Sequence, residues 1–158
     1  QLIFQHMEPI DFIIRILAAT AAGGAVGLER EINNKSAGLR TNTLVAIGAA
    51  IYVLISLQVL NEGEGDASRI VGQIVTGIGF LGAGVILHRG SSVHGLTTAA
   101  TIWCSAALGC LAALGMYWQL ITATLLVLMV NMAFKITDRW FAGKHGKKKE
   151  PGEKNHFE

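Results

Sequence analysis

From Gly90 to Phe134 the chain contains no Asp, Glu, Lys or Arg, an unbroken run of 45 residues rich in Leu, Ala, Ile and Val. A soluble domain of 158 residues has no interior large enough to hide such a run. A helix that crosses a bilayer needs roughly 20 apolar residues, so the run reads as two spans joined by a short turn. Residues 41–61 and 70–88 are also free of charge with His88 neutral, and residues 10–28 are interrupted only by Asp11 and Arg15. Charged residues make up 15% of the chain, against about 25% in a typical soluble domain.

The pattern predicts an all-α, polytopic membrane protein, a compact bundle of about five transmembrane helices over residues 10–28, 41–60, 70–87, 96–114 and 117–134. The short connections leave no room for an extramembrane domain between them. Residues 1–6 are set aside as a cloning remnant ahead of Met7, residues 7–142 form the transmembrane domain, and residues 143–158 form a basic tail. That tail is rich in Lys, Gly and Glu and lacks the apolar area to fold, so disorder is expected. The first apolar segment is nearly a full span followed by charges, which does not resemble a cleaved signal peptide.

Basic residues set the expected orientation. Eleven of the thirteen Lys and Arg residues fall in the first loop, the third loop and the tail. Positive charge is retained on the cytoplasmic side, so these regions are expected inside, with the N-terminus outside and the C-terminus cytoplasmic. Tyr117 and Trp118 then mark the outer interface, and Trp140 and Phe141 the inner one. The Lys147–Lys149 cluster would lie against anionic lipid.

The third segment carries Gly77, Gly79, Gly82 and Gly84. The first three match G-x-G-x-x-G, but no strand precedes them and no acid follows about 20 residues on, so a dinucleotide site is rejected. The glycines allow either close helix packing or a broken helix whose freed backbone lines a cavity. Gln73 adds a polar group that must face protein or water. In the first segment Ala19, Gly23 and Gly27 form one small face suited to a neighbouring helix in the same or a second subunit. Asp11 and Arg15 are four apart and can pair along the helix, and an ionisable group at that depth is a functional candidate.

The first loop holds Glu29, Arg30 and Glu31, and Arg40, Thr41, Asn42 and Thr43 open the second helix, a setting suited to an anion or carboxylate. Asp66 and Arg69 are expected to pair at the start of the third helix, where Asp is favoured. His88, Ser91, Ser92 and His94 precede Thr97, Thr98 and Thr101. No nucleophile elbow is present, so a turn leading into a Thr-capped helix is expected rather than catalysis. Cys104 and Cys110 are about 9 Å apart along one helix, too far for a disulfide, and read as small packing residues. No metal-ligand spacing occurs, and neither a cofactor nor a nucleic-acid partner is expected.

Five blocks, in order, resemble the MgtC/SapB family of bacterial inner-membrane proteins: Gly-Leu-Glu-Arg-Glu at 27–31, Gly-Leu-Arg-Thr at 38–41, Asp-Ala-Ser-Arg-Ile at 66–70, Gly-Ile-Gly-Phe-Leu-Gly-Ala-Gly-Val-Ile-Leu at 77–87, and Gly-Leu-Thr-Thr-Ala-Ala-Thr-Ile-Trp at 95–103. The resemblance covers residues 10–115. Ala67 stands where the family usually has Pro, and many members carry a small cytoplasmic domain after the last helix that the polar tail here does not resemble. The resemblance implies a multi-pass inner-membrane protein tied to growth at low magnesium and, in pathogens, to survival inside host cells.

Two function classes follow. The first is a regulator that binds a membrane partner protein through its small-residue faces and alters magnesium economy indirectly. The second is a transporter or channel for Mg²⁺ or a small anion along a polar path between helices one, three and four. Mg²⁺ demands octahedral oxygen ligands and sheds water reluctantly, and the interiors of helices two to five contain no carboxylate, which favours the regulator. The small faces of helices one and three exceed what five short helices can pair internally, so a homodimer is expected. The candidate polar cluster is Arg15, Glu29, Arg30, Arg40, Thr41, Asp66, Arg69, Gln73, Thr97 and Thr98, with Gly23, Gly27, Gly77, Gly79, Gly82 and Gly84 as packing or cavity glycines.

Overall fold

The computed structural model describes residues 7–61, 67–90 and 92–145. Among the described residues, five helices occur in the expected order: α1 Pro9–Ile32, α2 Leu39–Asn61, α3 Ala67–Gly84, α4 Leu96–Ala113 and α5 Tyr117–His145. Three of them, Pro9–Ile32, Leu39–Gln58 and Leu96–Ala113, are long and apolar enough to cross a bilayer. α5 adds an apolar stretch at Tyr117–Ala133. α3, which carries Arg69, Gln73 and five glycines, is not among the three. The chain divides into two units, one ending at Leu128 and one beginning at Met129.

The ends of the helices are set by local chemistry. α1 starts with Pro at its first turn, where a missing N–H and a fixed φ do no harm. It ends in a Schellman turn: Asn34 N–H donates to Glu31 O at 3.0 Å and Lys35 N–H to Arg30 O at 3.0 Å, with Asn34 left-handed at φ 52°. α4 ends the same way around Gly115 at φ 71°, with Gly115 N–H on Ala112 O and Met116 N–H on Leu111 O, both at 3.0 Å. That arrangement satisfies two of the last carbonyls and leaves others open.

The connection between α3 and α4 departs from the expected plain turn. Leu87–Arg89 (β1) and Ser92–His94 (β2) form an antiparallel hairpin in the register Leu87↔His94, His88↔Val93, Arg89↔Ser92. Gly90 at φ 60° supplies the left-handed residue of its two-residue turn. The fold is therefore helical with one short ribbon rather than wholly α. Nor is α4 Thr-capped. Its N-cap is Gly95 at φ 92°, with no side-chain cap, because a Cβ there would overlap the Val85 carbonyl.

Within the first unit, small residues sit inside and large ones outside. The core comprises Ala19, Ala22 and Val26 of α1, Ala46, Ala49, Ala50, Val53 and Leu54 of α2, Ile102, Ala106, Leu108, Ala112 and Ala113 of α4, and Leu120 of α5. Phe12, Leu17, Tyr52, Phe80, Trp118 and Leu125 point outward, with Phe80 82% exposed. In water so much exposed apolar area would drive aggregation. In lipid it is the ordinary arrangement, because helices associate there through close packing of small residues.

The small faces pack as tightly as side chains allow. A Cβ on Gly23 would lie 2.7 Å from the Ala46 Cβ and 2.8 Å from the Asn42 carbonyl oxygen, and one on Gly27 would lie 2.7 Å from the Leu39 Cα. The Ala19–Gly23–Gly27 face thus packs on α2 of the same chain. A Cβ on Gly109 would overlap the Ala46 carbonyl, which makes this the close crossing of α2 and α4. In α3 only Gly82 has a neighbour of this kind, the Ala99 Cβ at 3.5 Å, while Gly77, Gly79 and Gly84 have none within 4 Å. α3 itself is continuous from Ala67 to Gly84, so its glycines do not break the helix.

The second unit, described up to His145, is the continuation of α5. Helix there runs past the expected end at 134 and through residues 143–145. The rest of the expected disordered tail, like residues 1–6, lies outside the described residues.

Candidate functional site: buried polar ties at the helix ends

The C-terminal end of α1 places Arg30 at the foot of the stripe Ala19, Ala22, Gly23, Val26, Gly27, Arg30 that faces the neighbouring helices. The residue is only 3% exposed. Nη2 donates to Thr98 Oγ1 at 2.7 Å and to Ser36 O at 3.5 Å, while Nε is buried without a partner. Thr98 in the first full turn of α4 is itself buried. Both residues are among the sequence candidates, and the fold joins them across 68 positions.

Beside them, the α1–α2 loop is closed by its own acids and amides. Glu31 Oε2 accepts from Leu39 N–H at 2.8 Å, so the first free amide of α2 meets a carboxylate of this chain, the group type this helix end favours. Glu29 accepts from Asn33 Nδ2 at 2.5 Å. Asn42, fully buried, donates to the carbonyls of Ala37 and Gly38, which holds the loop against α2. Its Oδ1 accepts from Ser105 Oγ at 2.8 Å. Thr43 Oγ1 is buried without a partner, facing Gly24 of α1.

Arg15 lies about 22 Å from Arg30 along α1. It bonds not to Asp11 but to the carbonyl oxygen of Ala113, and its guanidinium packs beside Gly115. The reason is electrostatic. Ala113 O is a carbonyl that the Schellman turn of α4 leaves without a partner, and the C-terminal end of a helix attracts a cation.

The remaining candidates are dispersed. Arg40 and Thr41 are exposed in the first turn of α2, Thr97 is exposed in the first turn of α4, and Arg69 is exposed at the start of α3. Asp66, and with it the expected Asp66–Arg69 pair, lies outside the described residues. Gln73 lines an open groove of about 610 Å³ between α2 and α3, whose walls include Leu44, Gly48, Tyr52, Ile74, Gly77 and Leu81. On the hairpin, Ser92 Oγ and His94 Nε2 are hydrogen bonded at 3.1 Å on the exposed surface. Among the described residues no group of three His, Cys, Asp or Glu side chains is placed to hold a metal. The nine described polar candidates are therefore several sites: one pair at the α1–α4 corner, one helix-end tie at Arg15, one groove amide and several loop or surface groups.

The sequence reading missed Ser105 and Gly109. Both belong to the buried stripe Thr98, Thr101, Ser105, Gly109, Ala112 of α4, whose spacing of three and four was the signal available for them.

Comparison with known proteins gives consistent matches. Residues 16–140 match the MgtC family. An uncharacterized protein of Synechocystis sp. is 46% identical over 129 residues, 82% of this chain and 54% of that protein. Protein MgtC of Salmonella typhimurium is 45% identical over 131 residues, 83% of this chain and 55% of that protein. Protein MgtC of Brucella abortus is 48% identical over 116 residues, 73% of this chain and 48% of that protein. The chain spans about half the length of the curated relatives it matches. No solved structure matches it.

Proposed function

The chain belongs to the MgtC family, and from that premise we propose that it is a multi-pass protein of the bacterial inner membrane that serves magnesium homeostasis as a regulator, through a membrane-spanning partner. The N-terminus is outside and the C-terminus cytoplasmic in this proposal, on the distribution of Lys and Arg. The observation that carries it is the division of labour between the helices. Two pairs of buried polar side chains join these helices, Arg30 with Thr98 and Asn42 with Ser105, and glycine crossings close the space between α1, α2 and α4. They make a scaffold rather than a conduit. α3 instead leaves Gly72, Thr76 and Gly79 exposed away from the α2 groove, and in lipid such a face favours another helix.

The groove beside Gln73 supports transport as the second reading, although it lies between α2 and α3 rather than among helices one, three and four. Purified protein in liposomes separates the two. The regulator reading expects no flux of Mg²⁺ or phosphate above empty vesicles. Flux that Gly79→Leu abolishes would establish transport along α3. Crosslinking from α3 in native membranes is expected to capture a second protein, and capture of self-contacts alone would overturn the regulator reading in favour of a homodimer.

A further inference from the structure

Residues 62–66 join α2 to α3, and two neighbouring helices with so short a connection run antiparallel. An open groove of about 610 Å³ nevertheless lies between them. Its walls include two stripes, Leu44, Gly48 and Tyr52 on α2 and Gln73, Gly77 and Leu81 on α3. Residues four apart share one face of a helix, and each stripe advances by about 6 Å per step. Run in opposite directions, the stripes match level by level: Tyr52 stands across from Gln73, Gly48 from Gly77 and Leu44 from Leu81. That is the pattern of a helix–helix contact, but the contact is not made. A Cβ on Gly48 or on Gly77 would meet nothing within 4 Å, and Tyr52 is 62% exposed.

Glycine inside a helix costs about 1 kcal/mol relative to Ala. At Gly23, Gly27 and Gly109 a close crossing offsets that cost, whereas Gly48 and Gly77 carry it with no contact in return. Small residues on both walls are what two backbones need to approach in lipid. The polar end of the groove agrees. The Tyr52 hydroxyl can donate to the Gln73 amide oxygen, and an amide in hydrocarbon without a partner is costly.

We infer that the groove has a second, closed state. In it α3 leans onto α2 about its contact with α4, where Gly82 faces the Ala99 Cβ at 3.5 Å. Gly48 then meets Gly77, and Tyr52 donates to Gln73. The levels close together, so α3 is a two-position element beside the α1–α2–α4 scaffold. This movement goes beyond both functional readings above and rests on neither.

The test is the thermal midpoint of the full chain in phosphatidylcholine nanodiscs. With a permanently open groove, Gly48→Ala and Gly77→Ala would gain helix propensity and raise the midpoint. A closed state reverses the sign, and each is expected to lower it by several degrees. Gly79→Ala, on the face away from the groove, is expected not to lower it. Tyr52→Phe removes only the hydroxyl; it is expected to lower the midpoint of the wild-type chain and to have no effect beside Gln73→Leu. A second measurement uses a Cys104→Ala, Cys110→Ala background. There Gly48→Cys with Gly77→Cys is expected to form a disulfide, which needs Cα atoms within about 7 Å, at several times the yield of Gly48→Cys with Gly79→Cys. Raised or unchanged midpoints for Gly48→Ala and Gly77→Ala, an equal loss in Gly79→Ala, an undiminished effect of Tyr52→Phe beside Gln73→Leu, or equal disulfide yields would overturn the closed state.

Discussion

Asn42 and Ser105, both fully buried and 63 positions apart, share a 2.8 Å hydrogen bond that joins α2 to α4. Asn42 also holds the carbonyls of Ala37 and Gly38. One side chain thus fixes the loop, the start of α2 and the α2–α4 contact together. Ser105→Ala removes one partner and leaves a buried amide oxygen unpaired, an expected loss of about 1 kcal/mol. A double-mutant cycle with Asn42→Ala, followed by unfolding in mixed micelles, should show a coupling energy of similar size, and purely additive effects would contradict the tie.

Glycines that look alike in sequence should behave oppositely. Gly109→Ala drives a methyl into the Ala46 carbonyl, a backbone atom with nowhere to go, and overpacking of this kind costs about 1–3 kcal/mol. Gly79→Ala meets nothing within 4 Å and should be neutral or stabilising by up to about 1 kcal/mol through helix propensity. Thermal midpoints of the two variants in one detergent check the contrast.

Arg15 acts as a cap on α4. Arg15→Met preserves the aliphatic packing but removes the cation from the Ala113 carbonyl, and the expected loss is about 1 kcal/mol. Arg15→Lys should recover part of it. Equal losses in Met and Lys variants would show that the guanidinium packing beside Gly115, rather than the charge, matters.

Glu31→Ala should destabilise the α1–α2 hairpin by about 1 kcal/mol, the usual effect of losing a helix N-cap acceptor. Backbone hydrogen exchange is the direct readout, with faster exchange expected at Leu39 and unchanged protection in α4.

Helix positions were legible because hydrocarbon imposes length and apolarity on every span. The five expected segments fall inside the five observed helices, apart from the last residues of the third and fourth. The packing of Gly23 and Gly27 was legible too, since three- and four-residue spacing puts small residues on one face. The hairpin was not, because Leu87–Arg89 and Ser92–His94 are too short for a strand period to stand out from the run around them. The spacing of Asp11 and Arg15 allows a pair along the helix, whereas Arg15 bonds a backbone carbonyl that becomes available only when α4 ends beside it. The glycine density of α3 drew attention from Gly109, a single glycine whose contact depends on how two distant helices cross.

The Gly109–Ala46 crossing also limits how this protein can move. Two backbones in direct contact cannot slide or roll past each other without first separating, and the Gly23 and Gly27 contacts impose the same restraint on α1. These three helices therefore behave as one fixed post in the bilayer. α3 carries no such backbone crossing: Gly72, Gly77, Gly79 and Gly84 meet nothing within 4 Å, so of the four helices α1 to α4 it is the one its glycines restrain least.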